Sequence, residues 1–131
     1  MSNSPTKRIM VDMSATLIHH GHVRLLKAAK ELGYVIVALT TDDEIKKKKG
    51  YTPELDYSQR KEVLEAFRYV DEVVPCNWLL TNDFLEKHNI DLLVHGEDNS
   101  NDIPAENLVI LPRTEGISSN LMRQRAKINC E

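Results

Sequence analysis

The residues best equipped for chemistry stand in short strings far apart in the chain. The first is SATLIHHGH, Ser14 to His22, which sets His19, Gly21 and His22 in an H-x-G-H spacing. An apolar run precedes it and a helical pattern follows it, so it occupies a strand-to-helix turn. The start of a helix offers free N–H groups and partial positive charge, which suit a phosphate. Gly21 lets the backbone approach such a ligand closely. Two imidazoles add hydrogen-bond donors for oxygens on which negative charge builds up. Small environmental effects set their proton content. Ordinary loop and cap histidines are the plainer reading. Two of them flanking a glycine at this kind of turn favour function. His20 has no assigned role and reads as solvated, and a metal site lacks a third ligand nearby in sequence.

The second string is RTEGISS, Arg113 to Ser119, directly after the last apolar run. The planar fork of Arg113 can clamp two phosphate oxygens. Gly116 permits a tight turn, and Ser118 or Ser119 can cap a final helix while offering a hydroxyl. A third string, Lys46 to Lys49, is either a set of phosphate-binding cations or a solvated basic run.

These strings need a scaffold. Arg8 to Met13 (RIMVDM) reads as a first strand, and residues 1–7 as a disordered leader. From His22 to Leu32 the apolar residues fall at helical spacing, with Gly33 where a helix stop is expected. Tyr34 to Leu39 (YVIVAL) is nearly all apolar, as in a strand covered on both faces. A lysine-rich loop at 42–56 then precedes a helix near 57–69. Val70 to Pro75 and Asp91 to His95 read as strands, with a helix from Thr81 or Asn82 to Asn89 between them. Leu108 to Leu111 is the last strand. Strands alternating with helices imply right-handed crossovers and a parallel sheet. The expected fold is one α/β Rossmann-like domain over residues 8–131, with about five strands and helices on both faces. In such a sheet ligands bind beyond the carboxyl ends of the strands, where the strand order reverses. The chemically able strings all follow strands.

Composition narrows the classes. The chain has 131 residues, 41% hydrophobic and 28% charged, which suits one globular domain. A net charge of -3 argues against a general nucleic-acid binder, though a local basic cluster can still hold a small anion. Cys76 and Cys130 form no metal-spaced pair and no disulfide framework. The first residues lack the apolar run of a signal peptide, and no stretch approaches a membrane span. A cytoplasmic location is expected.

The two strings also carry a resemblance. H-x-G-H alone resembles the nucleotidyltransferase superfamily of that motif, with its cytidylyl- and adenylyltransferases. RTEGISS is similar to the more specific R-T-x-G-I-S-[ST] signature of cytidylyltransferases. With SQRKEVLEAFRYVDEVVP at 58–75, Asn77-Trp78 and HNIDLLVHGEDN at 88–99, the chain resembles bacterial glycerol-3-phosphate cytidylyltransferases from residue 8 to about 125.

That resemblance implies transfer of CMP from CTP to a phosphorylated small alcohol, with release of pyrophosphate. His19, His22, Lys46 and Arg113 are the implied catalytic residues. Ser14, Gly21, Lys48, Gly96, Asp98, Thr114, Ile117 and Ser118 would hold the nucleotide together with Arg113. Arg60 and Arg68, eight residues apart on one expected helix, would face the acceptor with Trp78, although Arg68 also reads as a structural tie. The resemblance further implies Mg²⁺ accompanying CTP, a homodimer, and neither nucleic acid nor membrane as partner. One departure stands out. The usual G-x-F-D segment is here Met13-Ser14-Ala15-Thr16. The form S-A-x-L-I-H-x-G-H looks like cytidylyltransferase domains of phosphonate pathways, so a hydroxyalkyl phosphonate is an alternative acceptor. An adenylyltransferase of the same fold and a non-catalytic nucleotide-binding module are the rival classes. RTEGISS argues against the first, and the Met13–Thr16 departure is the best support for the second.

Overall fold

The computed structural model describes residues 6–95, 103, 107–110 and 118–129. Its elements run β1 (Arg8–Met13), α1 (His20–Lys30), β2 (Tyr34–Thr40), α2 (Asp42–Lys49), α3 (Tyr57–Glu65), β3 (Glu72–Cys76), α4 (Asn82–Lys87), β4 (Leu92–His95), β5 (Leu108–Ile110) and α5 (Ser119–Asn129). The five strands form one parallel sheet in the order β3-β2-β1-β4-β5. The expected α/β architecture is therefore present. Strand order reverses between β1 and β4, and the switch point lies at their carboxyl ends.

β1 and β2 are central and buried on both faces, which is why their sequences are nearly continuous apolar runs. Ile9, Val11, Val35, Val37 and Leu39 face a layer that includes Leu26 and Ala29 of α1 and Leu64 of α3. Met10, Ile36, Ala38 and Leu93 face the other layer, with Leu85 of α4 and Leu80 just ahead of that helix. Pro75 lies in edge strand β3, where a missing N–H is tolerated. The amino end of the sheet is closed by carboxylates. Asp71 accepts from the Val35 N–H at 2.8 Å and Asp91 from the Arg8 N–H at 2.8 Å. The opposite end is left for chemistry.

Three expectations are corrected. The lysine-rich segment is helical from Asp42 to Lys49, not a loop. Acidic residues fill its first turn and lysines its last, complementing the helix dipole, and Ile45 is its buried anchor. Gly50 closes it in the left-handed conformation at φ 79°, with its N–H on the Lys46 carbonyl. Next, α3 ends at Glu65, not near residue 69. The chain turns there so that Phe67, Tyr69 and Val70 pack on the core, which takes Arg68 off the helix. Finally, Lys7 already belongs to the fold: its carbonyl accepts the Tyr34 N–H at 2.8 Å. Gly33 faces that carbonyl so closely that an added Cβ would sit 2.2 Å from it.

Arg60 on α3 ties the carboxyl ends together. It is fully buried, and its guanidinium donates to the carbonyls of Leu55 (3.1 Å), Ser14 (2.6 Å) and Thr40 (2.9 Å) and to Asp42 Oδ1 (2.6 Å). Asp42 Oδ2 in turn accepts the Tyr57 N–H at 3.0 Å. Removing one partner from such an arrangement leaves buried polar groups unmatched, at a cost of about 3–5 kcal/mol. Arg60→Ala is expected to lower unfolding stability by that amount in urea titration, and Arg60→Lys by a smaller but clear margin. An Arg60→Ala protein as stable as the parent would show that these bonds add nothing.

Candidate functional site

The H-x-G-H string is a helix cap written in histidine. His19 is the N-cap of α1, in extended backbone, and its Nδ1 accepts the Gly21 N–H at 3.1 Å. His22, three residues on, returns the favour: its Nδ1 accepts the His19 N–H at 3.1 Å. This reciprocal pattern is that of a capping box, in which the N-cap and third helical residues satisfy each other's orphan groups. It explains why α1 begins at His20, before the expected His22. An imidazole nitrogen that accepts is unprotonated, so each neutral ring carries its proton on Nε2. The two rings lie 4.0 Å apart. The string thus presents two Nε2–H donors side by side at the start of a helix. His20 is exposed, as expected.

Burial and the neighbouring His19 push the His22 imidazole down to about 4. His19 is also lowered, by burial and then by His20. Both rings are therefore neutral donors near pH 7, and an arriving polyanion would favour their protonated forms.

The loop ahead of them is held tightly. Ala15 is buried and takes a left-handed φ of 46°, a conformation unfavourable for a residue with a Cβ. The Arg60 bond to the Ser14 carbonyl and the Thr40 hydroxyl's bond to the Met13 carbonyl (3.3 Å) fix its two sides. Of Ser14, expected at the nucleotide, the structure shows a half-buried residue whose carbonyl serves Arg60.

The acceptor expectations change. Arg60 has four protein acceptors and no exposed surface, so it positions the site and cannot receive a ligand phosphate. Arg68 is exposed in the turn after α3, stacked 5.2 Å from the Tyr69 ring. Trp78 follows β3. Its backbone N–H donates to Glu44 Oε1 at 2.9 Å, and the Lys49 ammonium lies 5.4 Å from its ring. Lys46 and Lys48 are exposed on α2. Two positions apart on a helix, they point about 200° from each other, so this conformation cannot bring both to one anion. Ser118 caps α5, its Oγ accepting the Leu121 N–H at 3.0 Å. Gly96, Asp98, Arg113, Thr114 and Ile117 lie outside the described residues.

Sequence reading passed over a pair at the switch point. Asp12 of β1 and His95 of β4 meet side by side, Asp12 Oδ1 against His95 Nδ1. Asp12 is buried, and a buried carboxylate needs such a partner. The available signal was a charge within RIMVDM and a histidine closing DLLVH, two polar exceptions in apolar runs. Cys76 lies near them on the same face. Burial, with Asp12 adding, pushes its thiol up to about 12, so it is inert.

Fold and site together define a small α/β protein with a histidine-capped helix start beside the switch point of a parallel sheet. The sequence model of the Cytidylyltransferase-like family matches residues 14–125. The glycerol-3-phosphate cytidylyltransferase of Staphylococcus aureus is 41% identical over 126 residues, covering 90% of this chain and 93% of its own. That of Bacillus subtilis is 40% identical over 126 residues, covering 90% and 95%. A lipopolysaccharide core biosynthesis protein from Thermoplasma volcanium shares the fold, with a TM-score of 0.68 at 21% identity over 84% of this chain and 98% of its own. The chain belongs to the cytidylyltransferase-like family and is a nucleotidyltransferase.

Proton linkage follows from His22. Its folded-state value lies below the ordinary 6.5, so the unfolded chain binds the extra proton between about pH 6.5 and 4. Stability should fall as pH drops through that window and flatten below it. In the ligand-free protein, the His22 ring signals in an NMR titration should shift near pH 4. An inflection at or above 6.5 would contradict the buried, accepting geometry.

Proposed function

We propose that the protein transfers CMP from CTP to the phosphate of a small phosphorylated alcohol, with the paired Nε2–H groups of His19 and His22 stabilising the reacting phosphates. The single observation that supports this assignment is the histidine cap, which aims two neutral donors from the first turn of α1. An acceptor phosphate oxygen attacks the α-phosphorus of CTP and forms a new P–O bond. The bond to the β-phosphate oxygen breaks and pyrophosphate leaves. The attacking oxygen is already ionised at neutral pH, so no general base is required. Catalysis is then positioning plus stabilisation of charge as it shifts toward the leaving group. Arg113, Ser118 and lysines of α2 complete the phosphate contacts in this reading, and Gly96 and Asp98 meet the cytidine.

Mg²⁺ suits this chemistry as a companion of the triphosphate. Among the described residues no group of three His, Cys, Asp or Glu side chains could cage a metal, and Mg²⁺ commonly binds through substrate phosphates. It would neutralise charge on the triphosphate. The described helices include none long and apolar enough to cross a membrane. We read the protein as a cytoplasmic homodimer.

The similar enzymes of Staphylococcus aureus and Bacillus subtilis bear the name of glycerol 3-phosphate, which makes that compound the first acceptor to try. A phosphonate acceptor is the second reading, favoured by Met13-Ser14-Ala15-Thr16 in place of G-x-F-D. Pyrophosphate release with CTP and Mg²⁺ should be compared across glycerol 3-phosphate, phosphocholine, phosphoethanolamine, 2-hydroxyethylphosphonate and 2-aminoethylphosphonate. One of them should support turnover with CTP and not with ATP. His22→Ala and Arg113→Ala should each lower that turnover on the order of 100-fold or more, while His22→Ala loses only about 1 kcal/mol of stability through its cap. CTP binding without pyrophosphate release from any acceptor would instead mark a non-catalytic nucleotide-binding module.

A further inference from the structure

Arg123 of α5 reaches back across 107 residues to the loop that carries the histidines. Its Nη2 donates to Thr16 Oγ1 at 2.7 Å. Its Nε and Nη2 also grip Glu54 in a two-point pair at 2.5 and 2.8 Å. The guanidinium lies 4.6 Å from the Tyr51 ring. One side chain therefore joins three segments: the turn after β1, the connection between α2 and α3, and the last helix.

The placement of Thr16 gives that junction its meaning. Thr16 is buried, follows the strained Ala15, and stands three residues before the N-cap histidine. Its neighbour two residues back, Ser14, is held from the other side by Arg60. The turn is thus pinned at both ends by arginines from different helices. Glu54 lies next to Leu55, whose carbonyl also bonds Arg60, so the two arginines brace the same connection. A bidentate, ring-backed guanidinium fixes direction as well as distance.

We propose that Arg123 is a positioning residue for cytidylyl transfer: through Thr16 it sets the height and tilt of the His19–His22 pair relative to the nucleotide, and through Glu54 it locks the connection between α2 and α3 against the same turn. It touches neither histidine. Its effect passes through the backbone of residues 16–19. Reacting groups tolerate little displacement, and a shift of about 1 Å can cost on the order of 100-fold in rate. The inference rests on the proposed use of the two histidines, while the contacts themselves do not.

The test compares Thr16→Val, which keeps shape and deletes the hydroxyl, with Thr16→Ser, which keeps it, alongside Arg123→Ala and the Arg123→Ala/Thr16→Val double variant. Each is assayed for pyrophosphate release with CTP and the active acceptor, and for amide hydrogen exchange at His19 and Gly21. Thr16→Val and Arg123→Ala should each lower kcat roughly 10- to 100-fold with a smaller change in KM for CTP. The double variant should be no worse than the poorer single one, Thr16→Ser should recover most of the rate, and the two amides should exchange faster in the impaired variants. Should Arg123→Ala fail to fold, the Thr16 pair still decides. Wild-type kcat in Thr16→Val, or independent losses that multiply in the double variant, would overturn the inference. An inactive parent protein would instead count against the catalytic reading on which it rests.

Discussion

A buried guanidinium with nowhere else to go is the constraint around which the carboxyl end of this sheet is arranged. Arg60 has no exposed surface, and a charge in that position is tolerable only when nearly every donor meets an oxygen. The oxygens come from the end of β2, the turn after β1, the first turn of α2 and the connection into α3. Each of those segments must therefore stand at a fixed place relative to the others. The β1 turn carries the histidines, so the geometry of the two rings depends on a residue that is itself wholly enclosed by protein.

The turn uses that support. Ala15 holds a backbone conformation that favours glycine, at a cost of order 1 kcal/mol or more, and persists because its surroundings over-determine it. Beyond it, the two histidines accept backbone N–H groups with Nδ1, which leaves the ring proton on Nε2. In the proposed reaction, capping and chemistry use opposite nitrogens of the same ring. Lowered proton affinity is its consequence: rings that are half-buried and already accepting hydrogen bonds resist becoming charged in the absence of an anion.

The two ends of the sheet divide the work. At the amino end, Asp71 and Asp91 fasten strand starts and surface loops, and the contacts are purely structural. At the carboxyl end, polar groups are buried at a density that stability alone would not favour: Asp12 against His95, Thr40 against the β1 turn, Arg60 at the centre. Family membership gives this asymmetry its explanation, since a parallel sheet of this order offers its crevice there.

Much was legible from local pattern. A strand buried on both faces must be apolar throughout, so RIMVDM and YVIVAL announced themselves, and the H-x-G-H spacing matches the three-residue reach of a helix cap. Helix α2 was not legible, because only Ile45 marks a buried face and its stability comes from charge order and a left-handed Gly50. Nor could periodicity separate Arg60 from Arg68. One sits inside the sheet's carboxyl end and the other on the surface, because the chain leaves the helix at Glu65 to bury Phe67 and Tyr69. By itself the sequence determined the class of fold and the candidate groups for phosphate, since both are written in short-range spacing. Which side chains hold those groups in place was decided only by tertiary structure: Asp12 meets His95 across 83 residues and Arg123 meets Thr16 across 107, and strand register and helix docking set such meetings.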